Sequence, residues 1–316
     1  MTRIIIALLS LFLCGTAIAQ PNSVSRDGIR IIVPFAAGGT SDLTARILAE
    51  AMQQESGLPV VVENRPGGFT AVGLEHLMRR PADGRTLFLA ANGVVTHRHY
   101  LPQSSVDPMT SLSVITMIAE SPMMMMVTNH LPVSNAVQFI DYARANQNLM
   151  NYATVGQGGT LQMGADLMLR ATGLTITGVP YQGGAPATLD LIAGRIQMMF
   201  DSVAVGMQSH RAGQARAFAV TSRSRSRHAP DVPTFKELGF DIDFTPWQAL
   251  FVSNATPDHV RHQLNSWTTR VLNNPATISR YIELGMEQVL ATSIEQSEML
   301  LAAEQRRWNQ ILNPQQ

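Results

Sequence analysis

The stretch PFAAGGTSD, Pro34–Asp42, lies between an apolar run, Ile29-Arg30-Ile31-Ile32-Val33, and a segment of helical period that begins at Leu43. The β-branched run reads as a buried strand. Leu43, Ile47, Leu48 and Ala51 recur on one helical stripe. Pro34–Asp42 is therefore a strand-to-helix turn, and open α/β sheets bind ligands outside the carboxyl ends of their strands. Gly38 and Gly39 let backbone N–H groups approach a ligand closely. Thr40 or Ser41 is expected as the N-cap, with Asp42 in the first turn. The helix start offers unpaired N–H groups and a partial positive charge, a combination that binds anions. The same residues also suit a tight turn with an ordinary cap, and this loop alone does not decide between the two.

Working outward, Pro59–Glu63 and Thr86–Ala90 read as further strands and Thr70–Met78 as a helix. The β-α-β-α-β order predicts a parallel sheet with helices on both faces. A second set begins at Met123. Its strands are expected at Met123–Val127, Met150–Thr154, Ile176–Val179, Ile196–Phe200 and Ala217–Thr221, and its helices at Asn135–Ala145, Leu161–Ala171 and Ala185–Ala193. After Pro246 come a strand at Ala249–Ser253 and helices at Pro257–Leu272, Ala276–Leu284 and Ser293–Leu312. The fold class expected is α/β, in two lobes with a cleft between them.

Two more turns repeat the first. In YATVGQGGTLQMGADLM, Gly156, Gly158, Gly159 and Thr160 join a strand to a helix that opens at Leu161; in VPYQGGAPATLDLIAG, Gly183-Gly184 lie between a strand and a helix. Three glycine-rich strand-to-helix turns favour a shared ligand cleft. None is a nucleotide loop: the Walker lysine is missing, and GQGGTL lacks the last glycine of G-x-G-x-x-G. Asp201, directly after the strand Ile196–Phe200, is placed either to receive an amine or hydroxyl of a ligand or to cap the following turn. His97 and His99 in HRHY have no carboxylate or cysteine cluster beside them and read as surface histidines. Met123–Met126 reads as a buried strand, and SRSRSRH, Ser222–His228, as a solvated loop. No G-x-S-x-G elbow or H-E-x-x-H pair occurs.

Net charge is zero and only 15% of residues are charged, so no bulk field draws nucleic acid or an anionic membrane. An anionic ligand must be held by local dipoles. Residues 1–19 read as a secretory signal peptide: Arg3, the apolar run Ile4–Leu13, then Ala17-Ile18-Ala19, with cleavage expected after Ala19. Cleavage there removes Cys14, the one cysteine, and leaves neither disulfides nor thiolate chemistry. Roughly 300 remaining residues suit two domains.

Several segments together carry a family likeness: IRIIVPFAAGGTSDLTARILAEAM, PVVVENRPGG, DGRTLFLA, NYATVGQGGT, VPYQGGAPATLDLIAGRIQMMFDS, ARAFAVTS and DVPTFKELG. In order and over nearly the whole chain, this set resembles the solute-binding proteins of tripartite tricarboxylate transporters, the Bug family. The resemblance implies a type II-like Venus flytrap in which each lobe is a mostly parallel sheet flanked by helices. Lobe 1 is expected at 28–122 plus 250–316 and lobe 2 at 123–249. It implies a periplasmic, monomeric binding protein that is not an enzyme and uses no cofactor or metal. Its ligand would be a small carboxylate: a di- or tricarboxylate, an acidic amino acid or an aromatic carboxylate. Its partners would be the permease subunits, or alternatively a membrane sensor kinase; a periplasmic hydrolase or lyase using Asp201 is the other alternative. Carried over by position, the ligand site comprises Phe35, Ala36, Ala37, Gly38, Gly39, Thr40 and Ser41, then Gly156, Gly158, Gly159, Thr160 and Leu161, with Tyr181, Gly183 and Asp201 nearby. Phe69 and Thr70 depart from the family pattern, which has small residues after ENRPG. So do the histidines and arginine of NGVVTHRHY.

Overall fold

The structure, a computed structural model, describes residues 28–155, 159–181 and 183–312. The expected signal peptide and the positions Gly156 and Gly158 lie outside the described residues. The first part of the chain runs β1 (Ile29–Val33), α1 (Thr40–Ser56), β2 (Val60–Asn64), α2 (Ala71–Met78), β3 (Thr86–Ala91), α3 (Gly93–Tyr100), α4 (Pro108–Ser111) and β4 (Leu112–Glu120). The second runs β5 (Met123–Thr128), α5 (Ala136–Ala145), β6 (Asn151–Val155), α6 (Thr160–Thr172), β7 (Thr177–Tyr181), α7 (Gly184–Ile192), β8 (Met198–Ser202), α8 (Val203–Arg211) and β9 (Ala215–Val220). The last part holds β10 (Trp247–Ser253), α9 (Asp258–Leu272), α10 (Pro275–Glu283), β11 (Gln288–Val289) and α11 (Ile294–Leu312).

Among the described residues the strands form two sheets, ordered β11-β4-β10-β3-β1-β2 and β7-β6-β8-β5-β9. β1 lies between β2 and β3 in parallel, and β6 between β7 and β8 in parallel. The remaining pairs are antiparallel, so both sheets are mixed and not mostly parallel as expected. In the first sheet β10 re-enters and is hydrogen-bonded on both edges, to β3 and to β4; in the second β5 runs antiparallel to β8 and β9. The expected lobe division between 249 and 250 falls inside β10, whose whole length from Trp247 pairs with β4. The run Met123–Met126 is a fully buried strand, as its composition predicts.

The chain crosses between sheets at Ser121-Pro122 and again between β9 and β10. The two crossings are tied together. Ser121 donates its N–H to the Pro246 carbonyl at 2.9 Å, and the Thr221 hydroxyl donates to the Phe244 carbonyl at 2.6 Å. Phe88 and Trp308 of the first lobe, Trp247 and Phe244 at the crossing, and Met125 and Phe200 of the second lobe belong to one apolar cluster. SRSRSRH is solvated in part, with Arg223, Ser224, Arg225 and Arg227 exposed. Ser222 and Ser226 are buried, and the loop clasps the first lobe: the Ser226 hydroxyl donates to Glu287 at 2.6 Å and the Arg227 N–H at 3.1 Å. A carboxylate with two local donors is what pulls this hydroxyl-rich segment inward.

Candidate functional site

The loop after β1 is organised by Asp42. This side chain, 2% exposed, accepts the Gly38 N–H at 2.9 Å, Arg46 Nε at 2.9 Å and Asn64 Nδ2 at 3.0 Å. Asn64 also donates to the Phe35 carbonyl at 3.1 Å, which ties the end of β2 to the loop. Burial pushes the Asp42 carboxyl up, but the bonds from Arg46, Gly38 and Asn64 outweigh it and hold the group below its ordinary value. Gly38, at φ 84, is required by the turn. Its N–H is consumed inside the loop, and Phe35 is half-buried against the first-lobe core, so neither offers the ligand what the sequence suggested. Ala36, Ala37 and Gly39 are exposed, and Thr40 and Ser41 partly so.

The helix starts are the candidate anion-binding groups. Gly39, Gly159 and Gly183 are the N-caps of α1, α6 and α7, and none of these helices receives a side-chain cap. The expectation of Thr40 or Ser41 as the cap is corrected: α1 begins earlier, and both residues lie in its first turn. Four other described helices do receive a side-chain cap, with Asp107, Asn135, Ser202 and Asn274 accepting first-turn amides, whereas α2, α3 and α9 have none. Backbone geometry does not demand glycine at 39 or 183. Gly39 has φ −81 and ψ 169, and a β-carbon there meets only the Ala36 carbonyl at 3.7 Å. Gly183 is extended at φ 172, with nothing within 4 Å of an added β-carbon. Ser, Thr, Asn or Asp would be favoured at such positions. Among the described residues, glycine instead leaves these first-turn amides without a side-chain cap: Thr40 and Ser41 on α1, Thr160 and Leu161 on α6, and Gly184 and Ala185 on α7, where Pro186 has none to offer.

In the second lobe Asp201 stands at the carboxyl end of β8, 9% exposed. Its Oδ1 accepts the Ser202 N–H at 2.7 Å. Its Oδ2 faces the α7 start, 2.9 Å from where a β-carbon on Gly184 would sit. Burial raises the carboxyl to about 6, against the lowering effect of Ser202. Tyr181 is placed differently from expectation: its hydroxyl donates to Asp190 of α7 at 2.8 Å and is occupied within the lobe. Leu161 is half-buried and packs against the apolar core.

A contact unforeseen in the sequence joins the lobes beside these loops. Phe69 and Thr70 adopt left-handed backbone, φ 46 and φ 73, after two positive-φ glycines. The Phe69 ring lies over Gly93 at the start of α3 and stacks on His97 at 5.6 Å and 16°. His97 is thus fully buried, not a surface histidine; only His99 is exposed. Burial lowers its charge affinity, and neither ring nitrogen has a partner at hydrogen-bond geometry, although backbone groups of Phe69 and Val106 lie near. Tyr100, edge-on to Phe69, donates its hydroxyl across the lobes to Asp166 of α6 at 2.8 Å, and Tyr152 reaches the other oxygen at 3.5 Å. Burial pushes the Asp166 carboxyl up, and the tyrosine bonds partly offset it. The only sequence signal for this contact was the bulky Phe69 in a glycine turn. A cavity of about 360 Å³ lined by Arg30, Arg80 and Arg85 lies at the opposite, amino-terminal ends of β1–β3, away from the glycine loops.

With that geometry in place, the comparisons with known proteins are direct. The family model for the tripartite tricarboxylate transporter family receptor matches residues 44–316. The chain belongs to this receptor family. Protein BugT of Bordetella pertussis is 29% identical over 316 residues, covering 98% of this chain and 96% of its own length. A protein of the TAR-I ttuE-ttuC' intergenic region of Agrobacterium vitis is 31% identical over 285 residues, covering 90% and 82%. Among solved structures, the periplasmic binding protein BugD superposes with a TM-score of 0.83 at 28% identity, covering 91% of this receptor and 97% of BugD. R. palustris Rpa4515, solved with adipate, gives 0.84 at 29%, covering 90% and 95%. The receptor has the two-lobed α/β fold of the periplasmic binding proteins.

Proposed function

We propose that this receptor is exported to the periplasm and captures a small carboxylate between its lobes for delivery to the permease of a tripartite transporter. The observation that carries the proposal is the set of glycine N-caps at 39, 159 and 183, which leave first-turn amides bare at the carboxyl ends of β1, β6 and β7. At 39 and 183 the backbone would accept a capping side chain. Bare amides and helix dipoles bind anions without a permanent cation. Ala36, Ala37, Gly39, Thr40 and Ser41 supply the first-lobe half of the site. Gly156, Gly158, Gly159, Thr160, Leu161, Gly183 and Asp201 supply the second. The relative solved with adipate supports a carboxylate ligand.

The test is titration calorimetry against mono-, di- and tricarboxylates. At least one is expected to bind with a dissociation constant at or below about 10 μM, near 7 kcal/mol. An absence of binding across the panel refutes the proposal. Product analysis after long incubation separates capture from turnover: an unchanged ligand is expected.

A further inference from the structure

β2 is the outermost strand of the first sheet, and among the described residues no strand pairs with its free edge. The Ile29 N–H donates to the Pro59 carbonyl and the Arg65 N–H to the Val33 carbonyl, both at 2.8 Å. Backbone groups alternate sides along a strand, so Val61 and Glu63 also face β1, and Val60, Val62 and Asn64 face outward. Gln53 plugs the first of these, its side chain accepting the Val60 N–H at 3.3 Å. The Val62 and Asn64 amides have no such plug among the described residues. An open row of this kind is a template for another strand. The side chains beside it alternate too. Val60 and Val62 line a concavity of about 240 Å³ with Arg46 and Ala49 of α1. On the other face Val61, 53% exposed, borders the cavity of about 360 Å³ that holds Arg30, Arg80 and Arg85.

We propose that the outer edge of β2 is a docking site for an extended acidic segment of a partner protein, which adds as a further strand and sets a carboxylate side chain in the arginine-lined cavity. Strand addition of this kind takes affinity from main-chain bonds and specificity from flanking pockets. Charge decides the occupant here. Among the described residues Asp83 is the one carboxylate on the cavity wall, against three guanidinium groups, in a chain of zero net charge. An acidic side chain complements that wall. A second copy paired through β2 would set two such cationic flanks together, which disfavours self-association. The edge is short, with Pro59 before it and Pro66 after it, so the segment engaged is only a few residues long.

The experiment titrates the full chain at pH 7.5 and low salt with a fluorescent, end-capped eight-residue peptide that alternates threonine and glutamate, and with its threonine–lysine counterpart. The acidic peptide is expected to bind with a dissociation constant below about 1 mM and about tenfold or more tighter than the basic one. Amide hydrogen exchange, followed by NMR, should slow at Val62 and Asn64 when it binds. Methylating every second backbone nitrogen of the peptide, in the register that faces β2, should abolish binding. Val62→Pro removes the outward donor but no bond to β1, as an edge strand allows, and should weaken binding about tenfold or more. Arg80→Glu should erase the preference for the acidic peptide. If Val62→Pro fails to melt cooperatively, Arg80→Glu and the exchange data decide. Equal affinity for the two peptides, no binding by either, or unchanged exchange at Val62 overturns the proposal. Binding that survives methylation in both registers assigns the arginines to simple anion capture and overturns strand addition. A concentration-dependent dimer that Val62→Pro abolishes gives the edge to a second copy and overturns the acidic partner.

Discussion

Replacing Gly39 by Asn should make the protein more stable and worse at its task. The backbone at 39 is extended, and an added β-carbon meets only ordinary contact with the Ala36 carbonyl at 3.7 Å. Any residue fits, and losing a glycine at a compatible site stabilises by about 0.4–1 kcal/mol through the unfolded chain. Asn at an N-cap adds a few tenths of a kcal/mol over glycine by accepting a first-turn amide. The sum, about 1 kcal/mol, corresponds to a rise of a few degrees in melting temperature. The same side chain occupies an amide the ligand needs. One charge-assisted hydrogen bond contributes about 1.5–3 kcal/mol, so affinity should fall roughly tenfold to a hundredfold. The assay pairs a thermal melt with calorimetry, using whichever carboxylate binds the parent best. Asn is preferred to Asp because Asp42, already saturated by three donors, lies three residues on in the same turn. Unchanged affinity in a stabilised variant refutes the reasoning, for the bare amides would then be spectators.

Other expectations follow from the same geometry. Tyr100→Phe removes the interlobe bond to Asp166 and should destabilise by about 1.5–3 kcal/mol in a denaturant titration, since the acceptor is a buried carboxyl; no change would mean the bond is already satisfied elsewhere. Asp201 has its carboxyl raised from 3.8 to about 6, so the stability it contributes is full below 3.8 and is lost as pH rises through about 6. Asp201→Asn should therefore melt above the parent at pH 8 by up to about 3 kcal/mol, with the gap closing toward pH 4; a pH-independent gap would contradict this. Phe69→Gly suits the left-handed backbone but uncovers His97, whose depressed titration should move back toward the ordinary histidine range in an NMR pH series. Gly285→Val puts a β-carbon 2.4 Å from Ala204 across the lobe junction at φ 94, and should cost about 2 kcal/mol or more and widen the lobes in solution scattering.

The sequence located most strands and helices within a residue or two, because β-branched runs and helical stripes alternate cleanly from Ile29 to Ala91 and from Met123 to Ile192. It concealed β4. Leu112–Glu120 and Met123–Thr128 form one largely apolar stretch, interrupted at Glu120-Ser121-Pro122, and nothing local says that its halves belong to different sheets. α3 was hidden by its valines and the lack of a side-chain cap, and α8 because it leaves β8 with no intervening loop. At the site, the glycines were visible but their meaning was not uniform. Gly38 serves the turn, whereas Gly39 and Gly183 are free of backbone need, a distinction that requires φ and local space. The family resemblance placed Tyr181 near the ligand, yet Asp190, two helical turns on, claims its hydroxyl. The burial of His97 depends on a ring from a distant loop, and no local pattern encodes that.

The division of the helix starts between lobes has a thermodynamic consequence. α1 belongs to the first lobe, and α6 and α7 to the second. A helix start stabilises an anion by about 0.3–1 kcal/mol, or up to ~2 when partly buried. Micromolar affinity needs about 8 kcal/mol. The helix starts of neither lobe reach that alone, so direct hydrogen bonds must supply the rest, and on the proposed reading both halves contribute them. The lobes are not free to meet at any spacing. Tyr100–Asp166 on one side and Ser226–Glu287 on the other already fix how they lie. A ligand can move that equilibrium only by the difference between what it gains in the two arrangements. On the proposed reading, affinity would be set jointly by the amides and by these two interlobe contacts, and weakening either contact should change binding without altering which carboxylate is preferred.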